Sequence, residues 1–186
     1  MEMKKTVSVL LCMLVLNGCA SLQEIPVIEY PAGREAFGRA GLVVNDGYVY
    51  SSGTYVSRTH LEIRDELATS GHFSSIELNS VYIPLQIRVT LTAKPQGSEA
   101  ESYAKLLVGA ATLFLVPLPQ NYDYFGEFRV ECRGIEHGKW NYQQPITQTQ
   151  FLFTSPDSGE TKVINSFVSR FMHDWIDSGI LKDGCK

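Results

Sequence analysis

Apolar residues recur along this chain at two spacings. The cleanest alternation has Leu85, Ile87, Val89, Leu91 and Ala93 interleaved with Gln86, Arg88, Thr90 and Thr92. A period of two puts the first set on a buried sheet face and the second on a wet one, and Pro84 can only begin such a strand or lie at an edge. A second alternation predicts a strand over 124–133, with Tyr124, Phe128, Val130 and Cys132 on one side and Phe125, Glu127, Arg129 and Glu131 on the other. Residues 134–139 then read as a turn, and 140–143 and 146–153 as returning strands broken at Pro145, which has no amide for a central ladder. Phe73, Ile76 and Leu78 suggest a shorter strand.

Helical spacing is strongest where Ile164, Phe167, Val168, Phe171 and Trp175 recur at i, i+3, i+4, i+7 and i+11. Asp157 and Glu160 suit the positive end of that helix, and Gly179 closes it. Thr59 and Glu62 fit a capping box that opens another helix, with Ile63 and Leu67, and Val56 a turn earlier, as its buried stripe and Gly71 as its stop. Asn45-Asp46-Gly47 between Leu42-Val43-Val44 and Tyr48-Val49-Tyr50 signals a β-hairpin. The order is hairpin, helix, strands, apolar segment, strands, helix. It predicts the α+β class: one domain over 38–186, a mostly antiparallel sheet and helices packed on one face.

Two stretches carry neither period. Residues 94–102 read as a polar loop with Pro95, Gly97 and Ser98. Residues 106–118 hold no charge and are too short to span a bilayer. A run of that length is expected to be a buried helix or strand. The other reading is a surface element facing lipid or a partner protein, with Leu113, Phe114 and Leu115 at its centre.

The start of the chain is different again. Lys4 and Lys5 precede the run 7–16, apolar except for Ser8, in the order of a secretory signal peptide. Leu16-Asn17-Gly18-Cys19 follows, and a Leu three residues before a Cys with Gly between them resembles the lipobox of bacterial lipoproteins. The resemblance implies that 1–18 are removed and that Cys19 becomes the first residue, carrying a diacylglyceryl thioether and an N-acyl chain. Three acyl chains would anchor the protein almost irreversibly, at about 0.8 kcal/mol per buried CH2. By the same family's sorting tendency, Ala20 after the cysteine implies the outer membrane of a Gram-negative cell, with the domain facing the periplasm. Residues 19–37, interrupted by Pro26, Pro31 and Gly33, read as a tether. As a flexible coil it would average about 25 Å, and a contact of Val27-Ile28 with the domain is open to it.

Composition narrows the choice of function. With 44% hydrophobic and 11% aromatic residues the chain is that of a folded protein. Loss of Glu2, Lys4 and Lys5 with the signal shifts the formal charge from −4 to −5, and the remaining Lys and Arg are scattered, which excludes a nucleic-acid footprint. Once Cys12 is removed and Cys19 acylated, Cys132 and Cys185 remain, either joined in an oxidising compartment or both thiols.

No catalytic or cofactor signature is present. His60, His72, His137 and His173 lack metal-ligand spacing, and there is no GxSxG, SxxK, GxGxxG or GxxxxGK[ST]. No cofactor and no metal are expected. Cys132 and His137 could meet across a turn as nucleophile and base, but Cys132 falls on the core face, where cysteines are usually inert. The aromatic set Tyr122, Tyr124, Phe125, Trp140 and Tyr142 would either offer rings to a ligand or partner, or only stabilise the sheet through cross-strand pairs. The chain is therefore expected to be a membrane-anchored, non-enzymatic docking or accessory component that meets an envelope protein. The alternatives are a carrier or sensor with 106–118 as the wall of an apolar pocket, and an envelope hydrolase.

Overall fold

The computed structural model describes residues 25–31, 36–46, 58–112, 118–150, 157–182 and 184–185. A five-stranded mixed sheet carries helices packed on one face, an α+β domain. The elements are β1 (Gly38–Asn45), α1 (Arg58–Thr69), β2 (Phe73–Leu78), β3 (Leu85–Pro95), α2 (Glu99–Ala111), β4 (Leu118–Cys132), β5 (Ile135–Gln150) and α3 (Asp157–Ser178). The strand order is β2-β1-β3-β4-β5. The two long ladders, β3–β4 and β4–β5, are antiparallel, whereas β1 pairs parallel with both β2 and β3.

Those parallel ladders alter the expected hairpin. β1 forms where Leu42-Val43-Val44 stand, but β2 flanks it along Gly38–Leu42 and β3 along Gly41–Asn45. Tyr48, Val49 and Tyr50 lie outside the described residues, as do Val56 and Cys19. The turn between β4 and β5 is also tighter than 134–139. Arg133 (φ 52°) and Gly134 (φ 80°) both take the left-handed conformation that a two-residue hairpin turn requires. Pro145 does not break β5, because among the described residues β5 is an edge strand with no neighbour on its far side.

The core follows the predicted periods. Ala40, Leu42, Ile87, Val89, Phe128 and Val130 point from the sheet onto Ile63 and Leu67 of α1 and Val163, Phe167, Phe171 and Trp175 of α3, all buried. Gly71 (φ 70°) and Gly179 (φ 67°) end the two helices as expected. The capping box is not formed: Arg58 is already helical, and the Glu62 carboxylate takes Arg58 Nε at 2.7 Å and the Thr161 hydroxyl at 3.1 Å. Glu62 therefore fastens α1 to α3 instead of closing a helix end.

α3 runs beside β4 in the same direction. Phe167 lies against Gly126, where an added Cβ would come within 2.6 Å of its ring, Phe171 stacks on Phe128 at 4.7 Å, and Trp175 stacks on Phe37 at 4.1 Å. The segment 25–31 follows α3 too. Ser166 Oγ donates to Pro26 O (2.8 Å), Ile28 N donates to Ser169 Oγ (3.2 Å), and His72 Nε2 meets Pro31 O (2.8 Å). Within the expected tether over 19–37, residues 25–31 and the buried Phe37 pack on the domain, while 19–24 and 32–35 lie outside the described residues. Hydrogen bonds to two α3 hydroxyls and stacking on Trp175 outweigh the freedom of a coil there.

The domain consequently has two ends. At one lie the β4–β5 turn, the start of β1, the end of α3 and the Cys132–Cys185 bond, with Cα atoms 5.6 Å apart. At the other lie the ends of β3 and β5, the start of β4 and the start of α3.

Candidate functional site

The connection between β2 and β3 is the most elaborate local feature at the disulfide end. β2, β1 and β3 all run the same way with β1 in the middle, so residues 79–84 cross β1 on the face away from the helices. Such crossovers ordinarily need about a dozen residues or more. This short one works because the crossed residue is Gly41: an added Cβ would lie 2.4 Å from Ser80 O and 2.5 Å from Gln86 Nε2. Gln86, expected on the wet face of β3, is buried there, and its amide nitrogen donates to Ser80 O (2.8 Å) and Ile83 O (2.6 Å). Asn79 N donates to Leu42 O and Arg133 N to Pro84 O, both at 2.8 Å. The crossover is pinned at both ends and in its middle.

Its outward side chains are apolar. Tyr82 is 94% exposed and Val81 64%, while Ile83 between them and the strand is buried. Beside Tyr82 opens a concavity of about 670 Å³ lined by Phe37, Arg39, Glu77, Tyr82, Pro84 and Cys185, among others. Arg39 and Glu77 pair across its wall. An aromatic ring held out on a braced loop loses little conformational freedom on contact, the condition under which tyrosine anchors an interface.

The rest of the helix-free face is a ladder of ion pairs. Arg88 Nε meets Glu131 at 2.9 Å, Lys139 Nζ meets Glu127 at 2.7 Å, and Arg129 Nε donates to the same Glu127 at 2.7 Å. Hydrogen bonding from Lys139, with Arg129 adding to it, holds the Glu127 carboxyl below its ordinary range. Solvated pairs of this kind are what a sheet shows toward water.

The residues singled out in the sequence are distributed differently. Trp140 and Tyr142 pack inward: Trp140 meets Phe171 edge-on at 5.4 Å, and Tyr142 stacks on Phe167 at 6.0 Å while its hydroxyl donates to Asp174 Oδ2. They are supports of the sheet and not an outward platform. Tyr122 and Tyr124 are half-buried on the same face, with ring centroids 6.4 Å apart. Phe125 lies on the other face, under the Lys94 ammonium at 5.3 Å. Leu113, Phe114 and Leu115 lie outside the described residues.

A thiol nucleophile is removed by the Cys132–Cys185 bond, and His137 is exposed on β5. His60 Nε2 faces Asp46 Oδ2 at 3.7 Å, and His173 Nδ1 lies 3.2 Å from Asp174. Among the described residues no three His, Cys, Asp or Glu side chains gather as a metal site. Tyr82 and Gln86 were missed because Gln86 obeys the alternation of its strand, and nothing in a single sequence marks a polar residue on the wet side as buried.

No family model matches the chain, and no curated protein matches it. Among solved structures it is similar to a minor lipoprotein from Acinetobacter baumannii, at 10% identity and a TM-score of 0.42 over 80% of this chain and 95% of that one. It is also similar to the rare lipoprotein B from Shewanella oneidensis, at 13% identity and a TM-score of 0.34 over 76% and 92%. A PelC dodecamer from Paraburkholderia phytofirmans gives 7% identity and a TM-score of 0.38 over 80% and 92%. Likenesses this distant do not speak for function.

Proposed function

We propose that this chain is an envelope lipoprotein, anchored in the outer membrane through Cys19, that works without catalysis by offering its disulfide end to another envelope protein. The observation that carries this reading is the exposed Tyr82 on a crossover braced by Gln86, beside the concavity walled by Arg39 and Glu77. An apolar anchor with a polar rim is the composition of a specific protein contact. The carrier alternative asks for an enclosed apolar cavity beside 106–118, and this concavity lies at the opposite end from Leu118, where β4 begins.

The test is cross-linking in intact cells with Tyr82→Ala. Truncating the ring removes the anchor and leaves the backbone bonds of Ser80, Ile83 and Pro84 in place. Cross-linked adducts should fall about tenfold, the effect of losing ~1.4 kcal/mol or more at a hot spot, with melting temperature and membrane retention unchanged. Adducts of unchanged yield in Tyr82→Ala would refute the site. Recovery of the wild-type protein in the soluble fraction would refute the anchor.

A further inference from the structure

α2 turns an apolar stripe to the outside. Ala100, Tyr103, Ala104, Leu107, Val108 and Ala111 follow the spacing i, i+3, i+4, i+7, i+8, i+11, the stripe by which a helix ordinarily packs on a core. All six are exposed, Leu107 at 70% and Tyr103 at 67%. One flank of the stripe carries Glu101 and Lys105, paired at 2.7 Å, and Thr112, whose hydroxyl donates to Val108 O. None of the described side chains of α2 is buried. Helices of 13 residues are marginal in water without a packed face, so this stripe calls for a cover.

The fold indicates which cover. The segment 25–31 runs parallel to α3, with Pro26 beside Ser166 and Ile28 beside Ser169, so the chain reaches Ile25 from the N-terminal end of α3. That is the end where β4 begins and β3 stops, and α2 lies between those two strands in sequence, with Gln96 N bonded to Asn121 O at its entry. Residues 20–24 separate Cys19 from Ile25 and extend at most about 20 Å. An anchor at Cys19 and the bare stripe of α2 thus belong to the same end. The stripe is also small: a helix about 20 Å long offers an apolar half of roughly 300 Å², against about 800 Å² per partner in a standard protein interface.

We propose that the apolar face of α2 lies in the head-group layer of the bilayer that holds Cys19, making a second, reversible membrane contact that sets the domain upright with Tyr82 directed away from the membrane. This rests on the anchored reading above. The helix is too short to cross. It suits an interfacial position, where apolar side chains enter the acyl boundary and a tyrosine sits at head-group level.

The test uses the full lipidated protein reconstituted in phosphatidylethanolamine–phosphatidylglycerol vesicles, with and without bromine-substituted acyl chains. Tyr103→Trp and, separately, Leu107→Trp add an indole at exposed positions, and emission from the parent's Trp140 and Trp175 is subtracted. The expected result is at least twofold quenching of the added emission by the brominated lipid, lost in each variant when Val108→Glu is added. Emission that stays unquenched while the protein sediments with the vesicles overturns the proposal and leaves the anchor standing. Emission that is blue-shifted but unquenched means that protein covers the helix, and overturns it as well. Protein that does not sediment and lacks the acyl mass at Cys19 overturns the proposal and the anchored reading together.

Discussion

The hydroxyl of Tyr142 donates to Asp174 Oδ2 at 2.8 Å from a ring stacked on Phe167. Burial first, and then the bond to Asp174, push the phenol well above its ordinary range. Because the folded value is raised, the stability linked to this group is intact below the unfolded value of 10.0 and declines as pH climbs past it. Tyr142→Phe should therefore cost about 1 kcal/mol at neutral pH, the worth of one such hydrogen bond at a half-exposed carboxylate. Above pH 10 the gap to wild type should narrow. Urea titrations at pH 7 and pH 10.5 measure both, and parallel losses at the two values would contradict the assignment. The same ring shows what the sequence leaves open: Tyr142 reads either as a platform for a partner or as a support of the sheet, and the packing of α3 on it decides for the support.

Among the elements, α2 departs most from its sequence reading. The polar pattern of 94–102 reads as a loop, yet Ser98 accepts from Glu101 N and starts a helix within it. The signal was present, since Ser98 and Glu101 have the S-x-x-E spacing of a helix start, but Pro95 and Gly97 just before it favour the loop. The expected burial of 106–118 is likewise overturned for Leu107 and Val108. Composition cannot separate a helix that crosses a core from one that lies on a membrane, because both are apolar for the same reason. Since no described side chain of α2 is buried, its stability is local. Ser98→Ala should lower protection of the amides in 99–111 from hydrogen exchange about fivefold, the equivalent of a lost ~1 kcal/mol cap, and leave the global melting temperature where it was. A drop of several degrees in that temperature would mean that α2 is part of the core.

The whole molecule is clamped at one end and left open at the other. Cys132 and Cys185 close a loop of sequence separation 53, which ties the tail after α3 to the end of β4. Chain entropy assigns such a closure roughly 4 kcal/mol. Reductant, or Cys185→Ser, should lower the unfolding free energy by about that amount in urea melts, and an unmoved midpoint would show that the tail carries no stability. The segment 25–31 is docked along α3, so this part of the expected tether belongs to the folded domain.

The order of residues was enough to assign the fold class, the buried faces of α1, α3, β3 and β4, and the helix stops at Gly71 and Gly179, because each depends on neighbours a few positions away along the chain. It left undecided which strands flank β1, that Gln86 is buried over Gly41, that 25–31 lies on α3, and that the apolar stripe of α2 faces outward. Those outcomes are set by contacts between residues far apart in the chain, and a local pattern holds no record of them.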